Sequence, residues 1–252
     1  MTPVHLFILT GASRGMGLAL AEQLLRPDHR LLCISRHASD ALAERAAAAS
    51  APLAQWPLDL AQGAAASARL AQWLREQTGA GFASATLINN AGTIPRIGPL
   101  READAGDLAQ ALRVGLEAPM LLTAAFLHGT QSWSGPRKVL NISSGLGRRA
   151  MASQAGYCAA KAGMDHFTRC VALEEALRPN GARVCSLAPG VIDTDMQVQL
   201  RGADPVAFPD QGRFIGLKAN GQLSSPAQAA ARVLAYLARA DFGSDPVADV
   251  RD

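Results

Sequence analysis

The 252-residue chain has little of what marks a specialised class. Aromatic residues make up 5% of it and charged residues 18%, and its 24 basic and 21 acidic residues form no like-charged run. A formal net charge of +3 distributed in this way excludes a polybasic patch, so neither a nucleic-acid partner nor a membrane partner is expected. The four cysteines, Cys33, Cys158, Cys170 and Cys185, include no CxxC pair, and the five histidines show no ligand spacing, so no metal centre is expected. Met1-Thr2-Pro3-Val4-His5 does not read as a basic, then apolar leader, and the Leu-rich segment from Met120 to Leu127 is too short to span a bilayer. A cytoplasmic protein with reduced thiols is the expectation, with Cys158 a buried structural residue.

Hydrophobic residues account for 49% of the chain, enough for a sizeable core. Short apolar runs alternate with Ala- and Leu-rich segments from end to end, the pattern of strand-helix-strand units around a parallel sheet. One doubly wound α/β domain covering 1–252 is expected, with helices on both faces of the sheet. Seven strands are predicted at Leu6–Leu9, Leu31–Ser35, Ala54–Pro57, Ala85–Asn89, Lys138–Ile142, Arg183–Leu187 and Val247–Val250. Helices are predicted at Gly15–Leu25, Ala38–Ser50, Gln62–Thr78, Glu102–Leu127, Ala155–Leu177 and Pro226–Arg239, the last capped by Ser224 and Ser225. Between Pro189 and Ser224 the pattern lapses into Gly, Pro, Asp and Gln, which predicts a functional loop, the substrate loop, around 194–224.

Directly after the first strand comes Thr10-Gly11-Ala12-Ser13-Arg14-Gly15-Met16-Gly17, which opens a helix. Glycines there let the backbone turn tightly and approach a pyrophosphate, whose charge suits the free N–H groups of the helix start. Tyr157 and Lys161 lie four apart in a predicted helix and so share a face. An ammonium beside a phenol favours the phenolate and is expected to lower the phenol's pKa, bringing proton transfer within reach of neutral pH.

The spacing of Gly11, Gly15 and Gly17 resembles the short-chain dehydrogenase/reductase family, whose Rossmann-type fold binds a nicotinamide dinucleotide. At the end of the second strand, where an acid would hold the ribose hydroxyls of NAD, the chain has Ser35-Arg36. With Arg14 and Arg36 available to grip a 2′-phosphate, NADP(H) is the expected cofactor. The resemblance implies further cofactor contacts at Ser13, Met16, Asp59 and Leu60, and at Asn90, Ala91 and Gly92 of an NNAG segment, with Asn89 structural. It also implies that Ser144, 13 residues before Tyr157, orients a substrate carbonyl, while Tyr157 supplies the proton and Lys161 also holds the nicotinamide ribose. Pro189, Gly190, Val191, Thr194 and Met196 match the family segment that closes over the nicotinamide.

The chain departs from the family at Gly115, where an asparagine often completes the proton relay. Glycine can offer the same backbone carbonyl and helix distortion, so Gly115 is counted with the catalytic set. Within the family, Tyr157-Cys158-Ala159-Ala160-Lys161 and the 172–175 and 193–197 segments are most similar to sepiapterin reductases and bacterial benzil reductases. That implies NADPH-dependent reduction of a ketone or aldehyde, foremost a 1,2-diketone or a pterin bearing a diketo side chain. Two alternatives stay open: reduction of a 3-oxoacyl thioester, and a weakly catalytic NADP(H)-binding sensor. Specificity is expected from Ile94–Leu100, Gly145–Gln154 and the 196–223 segment, including Met196, Gln197 and Phe214. Arg148 and Arg149 read as solvated charges, or less readily as contacts to an anionic substrate. The helices Glu102–Leu127 and Ala155–Leu177 are expected to pair copies of the chain into a homodimer or homotetramer.

Overall fold

Alternate residues along the strands face opposite sides of the sheet. Leu6, Ile8, Leu32, Ile34 and Leu87 pack with one set of helices, and Leu9, Leu31, Cys33 and Ile88 with the other. The computed structural model describes residues 3–77 and 81–252. The strands β1 (Val4–Thr10), β2 (His29–Ser35), β3 (Leu53–Pro57), β4 (Phe82–Asn89), β5 (Arg137–Ile142), β6 (Arg183–Ala188) and β7 (Val247–Asp249) form one parallel sheet in the order β3-β2-β1-β4-β5-β6-β7. All seven coincide with predicted strands. The chain reverses its direction of travel across the sheet between β1 and β4, and the crevice beyond their carboxyl ends is where ligands bind in such sheets.

One face carries α1 (Gly15–Leu24), α2 (Asp40–Ala48) and α9 (Pro226–Ala238), and the other α3 (Gly63–Glu76), α5 (Ala118–Thr130) and α6 (Ala155–Ala176). For the predicted Gln62–Thr78 helix, Thr78 lies outside the described residues. Ser225 caps α9 with a reciprocal capping box to Gln228, so Ser225 alone is the cap, and the Ser224 hydroxyl instead accepts a bond from Arg232.

Two predictions are corrected. The single helix expected over Glu102–Leu127 is broken into α4 (Ala105–Leu112), a π-helical turn over Arg113–Glu117, and α5. Pro119 is the cause: it has no N–H to give the carbonyl of Gly115 four residues earlier, and its ring clashes with an undistorted helix there. The expected 194–224 loop is helical instead, containing α7 (Asp195–Arg201) and α8 (Gln211–Ala219), and Ile192 bridges to Ser224. Helices this short are marginal alone. They persist here because Phe208 and Phe214, their rings tilted by 30° with centroids 5.6 Å apart, pack in a small core with Ile94 and Leu200.

No helix among the described residues is long and apolar enough to cross a membrane. All four cysteines are free, and Cys158, expected to be buried, is partly exposed on α6.

Candidate active site

A cavity of about 780 Å³ opens at the carboxyl ends of the strands. Gly11 and Gly15 adopt φ values of +72° and +54°, which a side chain resists. A Cβ on Gly17 would lie 2.0 Å from the Gly11 carbonyl oxygen, so the helix start can approach its own loop only as glycine. Asn90 ties this loop to β4: its Nδ2 donates to the carbonyls of Thr10 (3.0 Å) and Gly11 (3.2 Å). The Thr10 hydroxyl accepts from the backbone N–H groups of Asn90 and Ala91, both at 3.0 Å. Asn89 faces away, into a buried chain of bonds through Asn141 (2.8 Å) and Thr123 (3.1 Å). Its structural role matches its placement.

Gly11, Ser13, Arg14, Gly15, Met16 and Gly17 line the cavity, as do Ser35, Arg36, Asp59, Leu60, Asn90, Ala91 and Gly92. Arg36 is exposed at its rim, while the Ser35 hydroxyl donates to the His37 carbonyl at 2.9 Å. Asp59 caps a 3-10 turn by accepting from Ala61 N at 3.0 Å. Arg14 pairs with Asp195 of α7 at 3.1 Å, both largely exposed, linking the glycine loop to the segment over it. A Cβ on Gly15 would touch Thr194, so that segment lies close above the loop. Pro189, Gly190, Val191, Thr194 and Met196 complete this wall. The glycine cradle, the absence of an acid at the end of β2 and the two guanidinium groups suit an anionic dinucleotide, with Gly11 to Gly17 holding its pyrophosphate.

β5 delivers Ser144 and α6 delivers Tyr157 and Lys161, all lining the same cavity. Ser144 Oγ accepts from Leu146 N at 3.1 Å, which leaves its proton for another acceptor. Lys161 is buried and donates to the Ile142 carbonyl at 2.7 Å, with its Nζ 5.8 Å from the centre of the Tyr157 ring. Burial pulls its pKa down to about 8, against an opposing pull from Asp165. Burial pushes the Tyr157 phenol up from its ordinary value, and a hydrogen bond with Ser144 offsets part of that. The expected lowering by Lys161 is therefore corrected: desolvation carries the shift upward, and the phenol holds its proton at neutral pH.

Gly115 is the one predicted site residue that does not line the cavity. It is buried in the π turn, where a Cβ would lie 3.3 Å from Ala160 Cβ, and Gln110 and Val114 line the cavity in its place. Arg149 is exposed at the rim. Arg148 does not line the cavity; it is an exposed residue whose guanidinium bonds buried Asp165 at 3.3 Å and the Ala248 carbonyl at 2.7 Å. Asp165 in turn accepts from Ser186 at 2.6 Å, fixing α6 to β6. Sequence reasoning missed Thr93, Gln110, Val114, Asp249 and Arg251 as lining residues, since no motif picked them out.

A family model for short chain dehydrogenases matches residues 5–204. The chain is 34% identical over 235 residues to a benzil reductase ((S)-benzoin forming) of Bacillus cereus, covering 93% of this chain and 94% of that one. It is 33% identical over 257 residues to the sepiapterin reductase of Meriones unguiculatus, covering 97% and 95% of the two chains. Among solved structures, a short-chain dehydrogenase/reductase of Burkholderia vietnamiensis is 35% identical, with a TM-score of 0.67 over 100% of this chain and 99% of that one.

Proposed function

From the premise that the chain belongs to the short chain dehydrogenase family, whose members are oxidoreductases that bind a nicotinamide cofactor, we propose that it is an NADPH-dependent carbonyl reductase acting on 1,2-diketones. The observation that carries this reading is the convergence of Ser144, Tyr157 and Lys161 in one cleft, with the phenol kept protonated. The names of the benzil and sepiapterin reductases, which match nearly the whole chain, support the diketone class.

When bound, the cofactor supplies the hydride, which a carbonyl carbon accepts. The Ser144 hydroxyl donates a hydrogen bond to the carbonyl oxygen, keeping its proton while charge develops there. As charge develops there, Tyr157 passes its proton to that oxygen and the carbonyl becomes an alcohol. The phenolate left behind is stabilised by the Lys161 ammonium, which has two N–H donors beyond the one held by Ile142. Arg14 and Arg36 favour a cofactor carrying a 2′-phosphate, which supports NADPH over NADH. The net reaction consumes one NADPH and one proton for each diketone converted to a hydroxyketone.

An NADPH-oxidation screen over aryl and alkyl 1,2-diketones, pterins and 3-oxoacyl thioesters tests the proposal. Turnover confined to the thioesters, or tight NADPH binding with no turnover at all, would refute it. We also propose that copies of the chain pair through α4, α5 and α6. An apolar groove over Leu112, Leu116, Met120 and Leu121, and the exposed Leu173 and Leu177, support this reading, and light scattering tests it.

A further inference from the structure

Gln154 immediately precedes α6, and its carbonyl accepts from Cys158 N at 2.9 Å to start the helix. Its side chain is 1% exposed and the residue lines the active-site cavity, yet neither Nε2 nor Oε1 has a hydrogen-bond partner among the described residues. A buried carboxamide left wholly unpaired is costly, and folded chains rarely keep one without a purpose. The reduction derived above makes no use of it.

Its surroundings hold the carboxamide in place. Ser153 adopts a φ of +63°, and its hydroxyl donates to the Ala207 carbonyl at 2.5 Å. A Cβ on Gly156 would lie 2.4 Å from Leu108 Cδ1, so the first turn of α6 is packed hard against α4. Tyr157 and Lys161 share a helical face, and Gln154, at the N-cap three residues before Tyr157, lines the same cavity. Ile94, Met151, Leu200, Phe214 and Leu217 line the same cavity as an apolar cluster, and neither amide atom has a hydrogen-bond partner among the described residues. Gln197 of α7 lines the same cavity with its own Oε1 unpaired.

We infer that Gln154 is a specificity-determining residue whose Nε2 donates a hydrogen bond to a second, neutral oxygen next to the carbonyl that Tyr157 protonates. The inference rests on the diketone reading and deepens it. A neutral amide satisfies a ketone oxygen, whereas the carboxylate of a 2-oxo acid would call for a cation at that place. The site therefore selects vicinal dicarbonyl compounds over simple ketones.

The test compares wild type, Gln154→Leu and Gln154→Glu on benzil and on deoxybenzoin, which has the same skeleton with a methylene in place of one carbonyl. Calorimetric titration of the NADP⁺-saturated proteins with benzil and thermal melting accompany the kinetics. Both variants are expected to lower the benzil-to-deoxybenzoin ratio of kcat/KM by roughly tenfold or more, since a site built to bond an oxygen discriminates through it. The benzil Kd should rise in parallel, while Gln154→Leu melts no lower than wild type because two unpaired groups are gone. A ratio within twofold of wild type in both variants overturns the inference. Wild type that oxidises NADPH with neither compound overturns the diketone reading instead.

Discussion

Lys161 donates to the carbonyl oxygen of Ile142, the last residue of β5, at 2.7 Å, so the strand that delivers Ser144 also anchors the cation beside Tyr157. A lysine this deeply buried titrates where an enzyme assay can see it. Reductase kcat/KM is expected to fall as pH rises through about 8, when Lys161 loses its proton while Tyr157 keeps its own. A profile flat to pH 10 would refute this assignment.

The same group has a stability signature of opposite sense. The folded-state value of about 8 lies below the 10.5 of an ordinary lysine, so the unfolded chain binds more protons between those limits. Burying the charged amine weighs against folding below pH 8, and that cost is relieved as pH climbs toward 10.5. Urea unfolding of Lys161→Met should give a variant more stable than wild type at pH 7, by a margin that shrinks as pH rises.

Tyr157→Phe removes the proton donor and keeps the ring. Turnover is expected to drop by ~10²–10⁴-fold, the usual worth of a positioned acid, with NADPH affinity little changed. Ser144→Ala should cost ~10²–10³-fold, as the loss of one donor to a developing oxyanion does. Stopped-flow turnover with fluorescence titration of NADPH separates binding from chemistry.

Arg36→Asp should lower the NADPH-to-NADH ratio of kcat/KM by at least ~10-fold, since a charge-assisted bond to phosphate is worth about 1.5–3 kcal/mol. Asp195→Asn releases Arg14 from an exposed ion pair that contributes only ~0–1 kcal/mol. Its melting temperature should therefore hold while its KM for NADPH falls modestly. An unchanged ratio in the first variant would sink the role given to Arg36.

Gly115→Asn restores the residue type common in the family but places a Cβ 3.3 Å from Ala160. Crowding of this kind costs about 1–3 kcal/mol. Calorimetry should show a lower melting temperature and kinetics no gain in turnover. A variant both more active and equally stable would show that the site lacks its relay residue.

The strands were legible because apolar runs bounded by turn residues leave few alternatives, and the glycine loop because its position between strand and helix gives its spacing meaning. Helical periodicity put Tyr157 and Lys161 on one face, but that spacing is common in helices, and it was Ser144 thirteen residues earlier and the family resemblance that singled the pair out. The segment at 102–127 was misread as one helix, although Pro119 within it was the visible signal for a break. The helices at Asp195–Arg201 and Gln211–Ala219 carried no comparable signal, since their stability comes from Phe208 and Phe214 packing against Ile94 and Leu200.

By itself, the sequence determined the sheet and the glycine loop between strand and helix, because each rests on short-range spacing that backbone geometry converts directly into position, and it named Ser144, Tyr157 and Lys161 as candidates that share one cavity. Only the tertiary structure decided how those groups are tuned and what surrounds them. Burial sets the pKa of Lys161 and Tyr157, and it leaves the amide of Gln154 without a partner among the described residues. Desolvation depends on everything packed around a side chain, and those neighbours come from segments far apart in the chain.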